Sequence, residues 1–305
     1  MTSVTVRAPA KINLALAVGA ARADGFHELS TAYHAVSLYD EVVAAEADEL
    51  SISVTTSEGE PVDGVPQDRS NLAVAAAEML AERVGLAANV RLHVTKAIPV
   101  AGGMAGGSAD AAATLVACDA LWQTGLGRSE LLGLAAALGS DVPFSLVGGT
   151  ALGTGRGEVL TPVLARGTFS WVIAVSAEGL STPKVYAECD RLRDGVPTAE
   201  PRVPDGLMAA LRSGDAAALG AALTNDLEDA AVSLRPELRS TLETGVDAGA
   251  LGGIVSGSGP SVVFLAQGPE HAIDIAVALS ATGTYRAVRR VHGPVPGARL
   301  VGGEG

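Results

Sequence analysis

Cysteine is nearly absent: Cys118 and Cys189 stand far apart, with no CxxC and no Cys/His cluster near either. That argues against a zinc site or a disulfide framework and leaves a pair of reduced thiols in a cytoplasmic protein as the simpler reading. Basic residues are also scarce, 21 Lys and Arg against 34 Asp and Glu, for a formal charge of −13. No run of Lys and Arg could neutralise successive phosphates, so nucleic acid is not expected as a partner. The N-terminus lacks the basic start and apolar stretch of a signal peptide. The one long uncharged window, 248–269, holds six glycines and a Gly-Ser-Gly-Pro turn that would break a spanning helix, so no membrane is expected. Aromatic residues are few as well, two Trp, four Tyr and four Phe, enough to be used up in a core.

What is plentiful is apolar and small. Apolar residues make up 48% of the 305 positions, charged residues only 18%, and there are 37 glycines and 15 prolines. This is a globular composition with many tight turns, long enough for two domains at roughly 100 to 200 residues each. An anionic substrate would meet a repulsive overall field, so it would need a local basic site or a helix N-terminus.

Alternating apolar residues predict strands at Val4 and Val6, at Ile12 to Leu16, at Ile52 and Val54, and at Val90 to Val94. Helical periodicity predicts helices over 71–84, from about Ser108 to Trp122, and over 129–138 with Ser129 as N-cap. Strands and helices alternate without regular βαβ spacing, which favours α+β over a doubly wound sheet. Gly153, Gly155 and Gly157 suggest a crossing into a second domain, giving 1–155 and 156–305. The second half reads as strand (169–175), helix (183–193, capped by Thr182), a Pro-rich surface loop (194–204), helices near 215–223 and 236–247, strand, Gly turn, strand (261–265), helix (269–279) and strand (285–291). The tail from Gly293 is expected to fray.

The most informative segment is Pro99 to Asp110, with Gly102, Gly103, Gly106 and Gly107 between a predicted strand ending at Lys96 and a predicted helix. Glycines let the backbone approach a ligand, and the helix N-terminus offers free N–H groups, so phosphate is the natural guest. Composition alone allows equally a glycine-rich bend with no ligand. The loop is neither a Walker A motif, since no lysine precedes Ser108, nor a dinucleotide GxGxxG.

Pro99 to Ala109 resembles the glycine-rich signature of the GHMP small-molecule kinases. Two further motifs of that superfamily are similar to Ala8-Pro9-Ala10-Lys11-Ile12-Asn13-Leu14 and to Gly257-Ser258-Gly259-Pro260-Ser261, in the expected order over nearly the whole chain. Further segments resemble the branch whose acceptor is 4-diphosphocytidyl-2-C-methylerythritol in the non-mevalonate route to isoprenoids: 22–29, Asn71-Leu72, 139–144 and 181–186. The loop departs from the usual pattern at Met104-Ala105, where Leu-Gly is common, and at Ala109-Asp110, where Ser-Asn is common.

The resemblance implies an N-terminal ATP-binding α+β domain and a C-terminal ferredoxin-like α+β domain, with ATP as donor and Mg²⁺ as its companion. It implies Asp141 as general base and Lys11 as its charge partner, since a lysine within ~4 Å favours an ionised carboxylate. On residues alone, Asp141 reads far more readily as a turn or capping aspartate than as a base, and Lys11 as a solvated strand lysine. Lys11 and Asn13 do share one strand face, apart from Ile12 and Leu14. The resemblance further implies Asn71 and Lys96 flanking the adenine, and Pro99, Gly102, Gly103, Met104, Ala105, Gly106, Gly107 and Ser108 around the phosphates. For the acceptor it implies Asn13 and Thr182 beside the substrate, Phe26 and Tyr186 against the cytosine, and His27 on its polar edge. Asn71 reads also as a helix N-cap, and Asp110 as a first-turn carboxylate favouring the helix dipole. Another GHMP kinase acting on mevalonate or homoserine, or a silent nucleotide-binding module, is the competing reading. No pattern specifies metal ligands or an oligomeric state.

Overall fold

The computed structural model describes residues 2–194, 196 and 198–302. The chain opens with two long strands, β1 (Ser3–Ala21) and β2 (His27–Glu46), paired antiparallel with shifts in register at Pro9/Ala10, Asn13/Ala15 and Val18/Ala21. The two short strands expected near Val4 and Ile12 are thus one strand, bent at those irregularities. β2 has no counterpart in the expectations above. Residues 31–36 are buried on both faces and include Thr31 and His34, so the alternation that marks a half-buried strand is absent.

β3 (Ser51–Thr56), α1 (Leu72–Val84) and β4 (Val90–Lys96) follow, and β4 pairs antiparallel to β2 and parallel to β3. α2 (Gly106–Trp122) begins two residues earlier than predicted, with Ala105 as N-cap in the left-handed region at φ 59°. It is apolar all round and buried on several sides, because its alanines let β1, β2 and α1 approach closely. α3 (Arg128–Leu138) is capped from Gly127 with the Glu130 carboxylate, rather than from Ser129. α4 (Val142–Val147) is a short turn opened by Asp141 and Pro143. The hairpin β5 (Thr150–Gly155) and β6 (Val159–Pro162) joins the first sheet through β2. The division expected at 155/156 falls inside this hairpin, and a cut after Pro162 keeps it whole.

The second sheet contains β7 (Phe169–Val175). After it come α5 (Thr182–Leu192), α6 (Asp205–Ser213), α7 (Ala216–Ala221), the short β8 (Thr224–Asn225), α8 (Glu228–Leu234) and α9 (Glu237–Asp247). β9 (Gly252–Val255), β10 (Val262–Ala266), α10 (Pro269–Ala281) and β11 (Ala287–Gly293) complete it. Its order, β11-β7-β10-β9, all antiparallel, is that of a ferredoxin-like βαββαβ unit. Ser181, not Thr182, is the N-cap of α5. The fraying expected from Gly293 is not found over residues 294–301, which are tied down: Val295 bonds to Ala35 and Gly149, Ala298 donates to Ser145, and β12 (Arg299–Leu300) covers the free edge of β1. Among the described residues no helix is long and apolar enough to cross a membrane.

Candidate active site

A cavity of about 720 Å³ lies where β1, the glycine-rich loop, the start of α4 and the start of α5 meet. Lys11 and Asn13 enter it from β1. The Lys11 ammonium donates to Asn13 Oδ1 at 2.8 Å, and Asn13 Nδ2 donates to the Thr31 hydroxyl at 2.8 Å. That hydroxyl in turn donates to the Ala15 carbonyl, so the polar face expected on this strand is buried and hydrogen-bonded rather than solvated.

Lys11 Nζ lies 3.8 Å from Asp141 Oδ2, although 130 positions separate the two residues. Asp141 occupies the N-cap position of α4 but makes no side-chain cap bond, leaving its carboxylate turned to the cavity side. The Tyr33 hydroxyl donates to Asp141 Oδ1 at 3.0 Å. Burial, with the Asp141 charge beside it, raises the Tyr33 phenol well above its usual range, so it stays a donor. Sequence reasoning missed Tyr33. Its only pointer is the β1–β2 register, which sets Tyr33 opposite Asn13.

The three motifs that carried the resemblance meet physically. The Lys11 amide donates to the Met104 carbonyl, and the Ser256 hydroxyl to the Gly103 carbonyl. A Cβ on Gly103, at φ +74°, would fall 2.3 Å from the Ser256 carbonyl, and one on Gly257 would fall 3.2 Å from Lys11 Nζ. Glycine at both places is what lets the two turns close on β1.

Gly106, Gly107 and Ser108 form the first turn of α2 and line the cavity; the first bond within the helix is Ala109 N–H to the Ala105 carbonyl. Their amides are therefore free for an anion at the positive end of a 17-residue helix. A Cβ on Gly107 would meet nothing nearer than 3.8 Å. Pro99, Gly102, Gly103 and Ala105 also line the cavity, but Met104 does not: its side chain is fully buried in the core and only its backbone faces this region.

Asn71 and Lys96 line a smaller cavity of about 230 Å³ on the far side of the loop. Asn71 Oδ1 caps α1 through Ala73 N–H, and its amide donates to the Pro66 carbonyl. Lys96 is not the free flanking cation expected. It is buried between Asp40 and Asp110, paired with Asp110 Oδ2 at 2.7 Å and with Asp40 more closely still. Asp110 lies beyond the first turn of α2, so the dipole role expected for it is replaced by this contact with Lys96. Asp40 also accepts from the Ala97 and Ile98 amides, whereas Asp110 Oδ1 has no partner among the described residues. Burial first, then the Asp40 charge, pushes the Asp110 carboxyl up to about 8. Asp40 was missed because nothing local marks it.

The residues expected on the acceptor side, Asn13, Phe26, His27, Thr182 and Tyr186, all line the large cavity. Phe26 is half exposed, and the His27 ring centroid lies 5.0 Å from that of Tyr186. His27 Nε2 is 2.8 Å from Asp190 Oδ1, a partner the sequence did not suggest, and the Thr182 and Ser258 hydroxyls are 2.8 Å apart.

Comparison with known proteins agrees with this assembly. The model of the GHMP kinases N terminal domain matches residues 71–149, and that of the GHMP kinases C terminal domain matches 207–284. A 4-diphosphocytidyl-2-C-methyl-D-erythritol kinase of Thermobifida fusca is 58% identical over 98% of this chain and 99% of its own length. One of Mycolicibacterium smegmatis is 56% identical over 98% of this chain and 92% of its own length. The chain belongs to the 4-diphosphocytidyl-2-C-methyl-D-erythritol kinase family of the GHMP kinases. A crystal structure of a 4-(cytidine 5'-diphospho)-2C-methyl-D-erythritol kinase superposes with a TM-score of 0.76 at 34% identity, over 98% of this chain and all of the other. A homoserine kinase from Cytophaga hutchinsonii has the same fold, with a TM-score of 0.75 at 20% identity over 99% of this chain and 98% of the other. Like other GHMP kinases, this family member is an ATP-dependent phosphotransferase acting on a small molecule.

Proposed function

We propose that the chain transfers the γ-phosphoryl group of ATP to a hydroxyl of 4-diphosphocytidyl-2-C-methyl-D-erythritol, with Asp141 as general base. The observation that carries this reading is the Lys11–Asp141–Tyr33 cluster between a phosphate-sized cradle and an aromatic wall. The hydroxyl proton passes to Asp141 as the hydroxyl oxygen bonds to the γ-phosphorus, and the bond to the bridging oxygen breaks to release ADP. Lys11 and the Tyr33 hydroxyl hold the carboxylate in place, and the amides of Gly106, Gly107 and Ser108 hold donor phosphate. Asn71 and Lys96 border the smaller cavity, whose position beside the loop suits the adenine.

Among the described residues no three His, Cys, Asp or Glu side chains gather to hold a metal. Mg²⁺ brought in on the nucleotide phosphates would be met on the protein side by the Ser108 hydroxyl at the cavity wall, and would supply charge neutralisation for phosphoryl transfer.

Phe26 and Tyr186 offer faces for stacking a base. In the neutral ring with Nε2–H given to Asp190, His27 Nδ1 is an acceptor, which suits the amino group of cytosine and not the carbonyl of uracil. Asn13 and Thr182 border the path between base and Asp141. ATP consumption measured with the cytidine compound, mevalonate and homoserine as separate acceptors tests the reading. Efficient turnover of mevalonate or homoserine, with the cytidine compound ignored, would leave only a GHMP kinase of another acceptor.

A further inference from the structure

The three glycines that suggested a domain crossing, Gly153, Gly155 and Gly157, lie instead in the β5–β6 hairpin, and two of them lie over Tyr33. A Cβ on Gly153 would fall 2.6 Å from Tyr33 Cε2, and one on Gly157 2.3 Å from the Tyr33 hydroxyl. The hairpin turn is therefore pressed against the residue that holds Asp141. What it delivers there is Arg156, which lines the large cavity. Its guanidinium sits 5.1 Å from the centroid of the Phe26 ring. Leu29, three residues after Phe26, pairs with Gly155, so the sheet register sets this turn beside the Phe26–His27 segment.

The charges of the cavity single out this residue. The Lys11 ammonium is buried and engaged by Asn13 and Asp141, and His27 is engaged by Asp190. Among the described residues Arg156 pairs with one acidic side chain, Glu158, two positions away in its own turn, which accepts from the Arg156 backbone amide at 2.7 Å and touches the guanidinium only at Nε, at 3.5 Å. Among the described residues its two terminal nitrogens have no hydrogen-bond partner. A chain of net charge −13 has to admit an acceptor whose nucleoside and polyol are joined by a diphosphate, and the amides of the glycine-rich loop serve the donor.

We propose that Arg156 recognises the diphosphate of the acceptor, its guanidinium fork reaching the phosphates from the Phe26 ring on which it rests. This rests on the acceptor proposed above. Stacking on Phe26 holds the guanidinium plane in place before binding, so little freedom is lost when the fork closes on phosphate oxygens. One turn thereby couples base recognition, through Phe26, to charge recognition.

The test compares the wild type with Arg156→Gln and Arg156→Lys. With a non-hydrolysable ATP analogue saturating the donor site, calorimetry measures binding of cytidine 5'-diphosphate and of cytidine, while steady-state kinetics give KM for ATP and for the cytidine acceptor. Arg156→Gln is expected to weaken cytidine 5'-diphosphate and raise the acceptor KM roughly ten- to hundredfold, as loss of a charged, forked contact does. Cytidine affinity, KM for ATP and melting temperature stay within about twofold or a degree or two, and Arg156→Lys recovers part of the loss as a point charge without the fork. Equal weakening of cytidine and its diphosphate would reduce Arg156 to a support for Phe26. A rise in KM for ATP alone would assign it to the donor. Unchanged constants in a wild type that turns over the cytidine compound would overturn this proposal and leave the acceptor reading intact. A wild type that ignores that compound would overturn both.

Discussion

The pairing of Lys11 with Asp141 lends itself to a double-mutant cycle built from Asp141→Asn, Lys11→Met and both together. Asparagine keeps an Oδ1 for the Tyr33 hydroxyl, and methionine keeps the apolar stem of Lys11, so both variants are expected to fold. Loss of a general base lowers kcat by about 10² to 10⁴, or about 3 to 5 kcal/mol of barrier. The coupling between the two residues is bounded by their attraction. At 3.8 Å two unit charges attract by about 4 kcal/mol at an effective dielectric of about 20, and by about 1 kcal/mol in bulk water. With the Asp141 side chain 30% exposed, about 1 to 3 kcal/mol is the reasonable span. The double variant should then be more active than the product of the single losses predicts, by a factor of about 5 to 150. The assay is kcat at saturating ATP and acceptor for the four proteins, with ATP affinity and melting temperature as checks on folding. Losses that multiply in full would mean that the two groups do not act together, and near-normal turnover of a folded Asp141→Asn would remove the base from the mechanism.

The glycine-rich loop separates two effects: Gly107→Val brings its Cβ no nearer than 3.8 Å to Leu72 and should weaken ATP at least about tenfold with melting temperature kept, whereas Gly103→Ala meets the Ser256 carbonyl at a positive φ and should cost roughly 2 kcal/mol or more of stability. Equal effects on ATP and acceptor from Gly107→Val would count against the phosphate cradle. For Asp110, a carboxyl raised in the folded state to about 8 binds a proton that the unfolded chain releases near pH ~4, so the stability it contributes is full below that pH and is lost as pH rises toward 8. Denaturant midpoints at pH 5 and pH 8 should therefore show the wild type losing ground to Asp110→Asn, and a gain instead would refute the assignment. Phe26→Ala should raise the acceptor KM by roughly 5- to 150-fold, the range of one base–aromatic stack, with melting temperature unchanged because the ring is half exposed. Tyr186→Ala should do the same but also lower melting temperature, since that ring packs on the second core, and a KM for ATP that moved instead would place both rings on the donor side.

Local pattern reached far along this chain where burial is one-sided or where small residues cluster. The boundaries of α1, α9, β4 and β7 follow from periodicity and caps within a residue or two, and the shared face of Lys11 and Asn13 follows from strand geometry alone. The glycines of the loop announced a close backbone approach, and the resemblance they supported carried Asp141, His27 and Tyr186 into one cavity. What the sequence could not display is contact made across register. Residues 31–36 of β2 are buried on both faces and turn Thr31 and His34 inward, so that stretch shows no alternation and Tyr33 went with it, while further along the strand the buried Asp40 interrupts the apolar face of Leu38, Val42 and Ala44. Lys96 read as a ligand because its two carboxylate partners, Asp40 and Asp110, lie 56 and 14 positions away, one on a strand with no local signal and one on a helix turn that begins earlier than its composition suggests. Asp190 and Arg156 acquire meaning only once α5 and the β5–β6 hairpin are folded against the first strands. Sequence determined which segments could form the cradle and the strand face; the pairing of β1 with β2 and the seating of the second sheet decided which charges meet, because electrostatic partnership depends on distance in space and leaves no period along the chain.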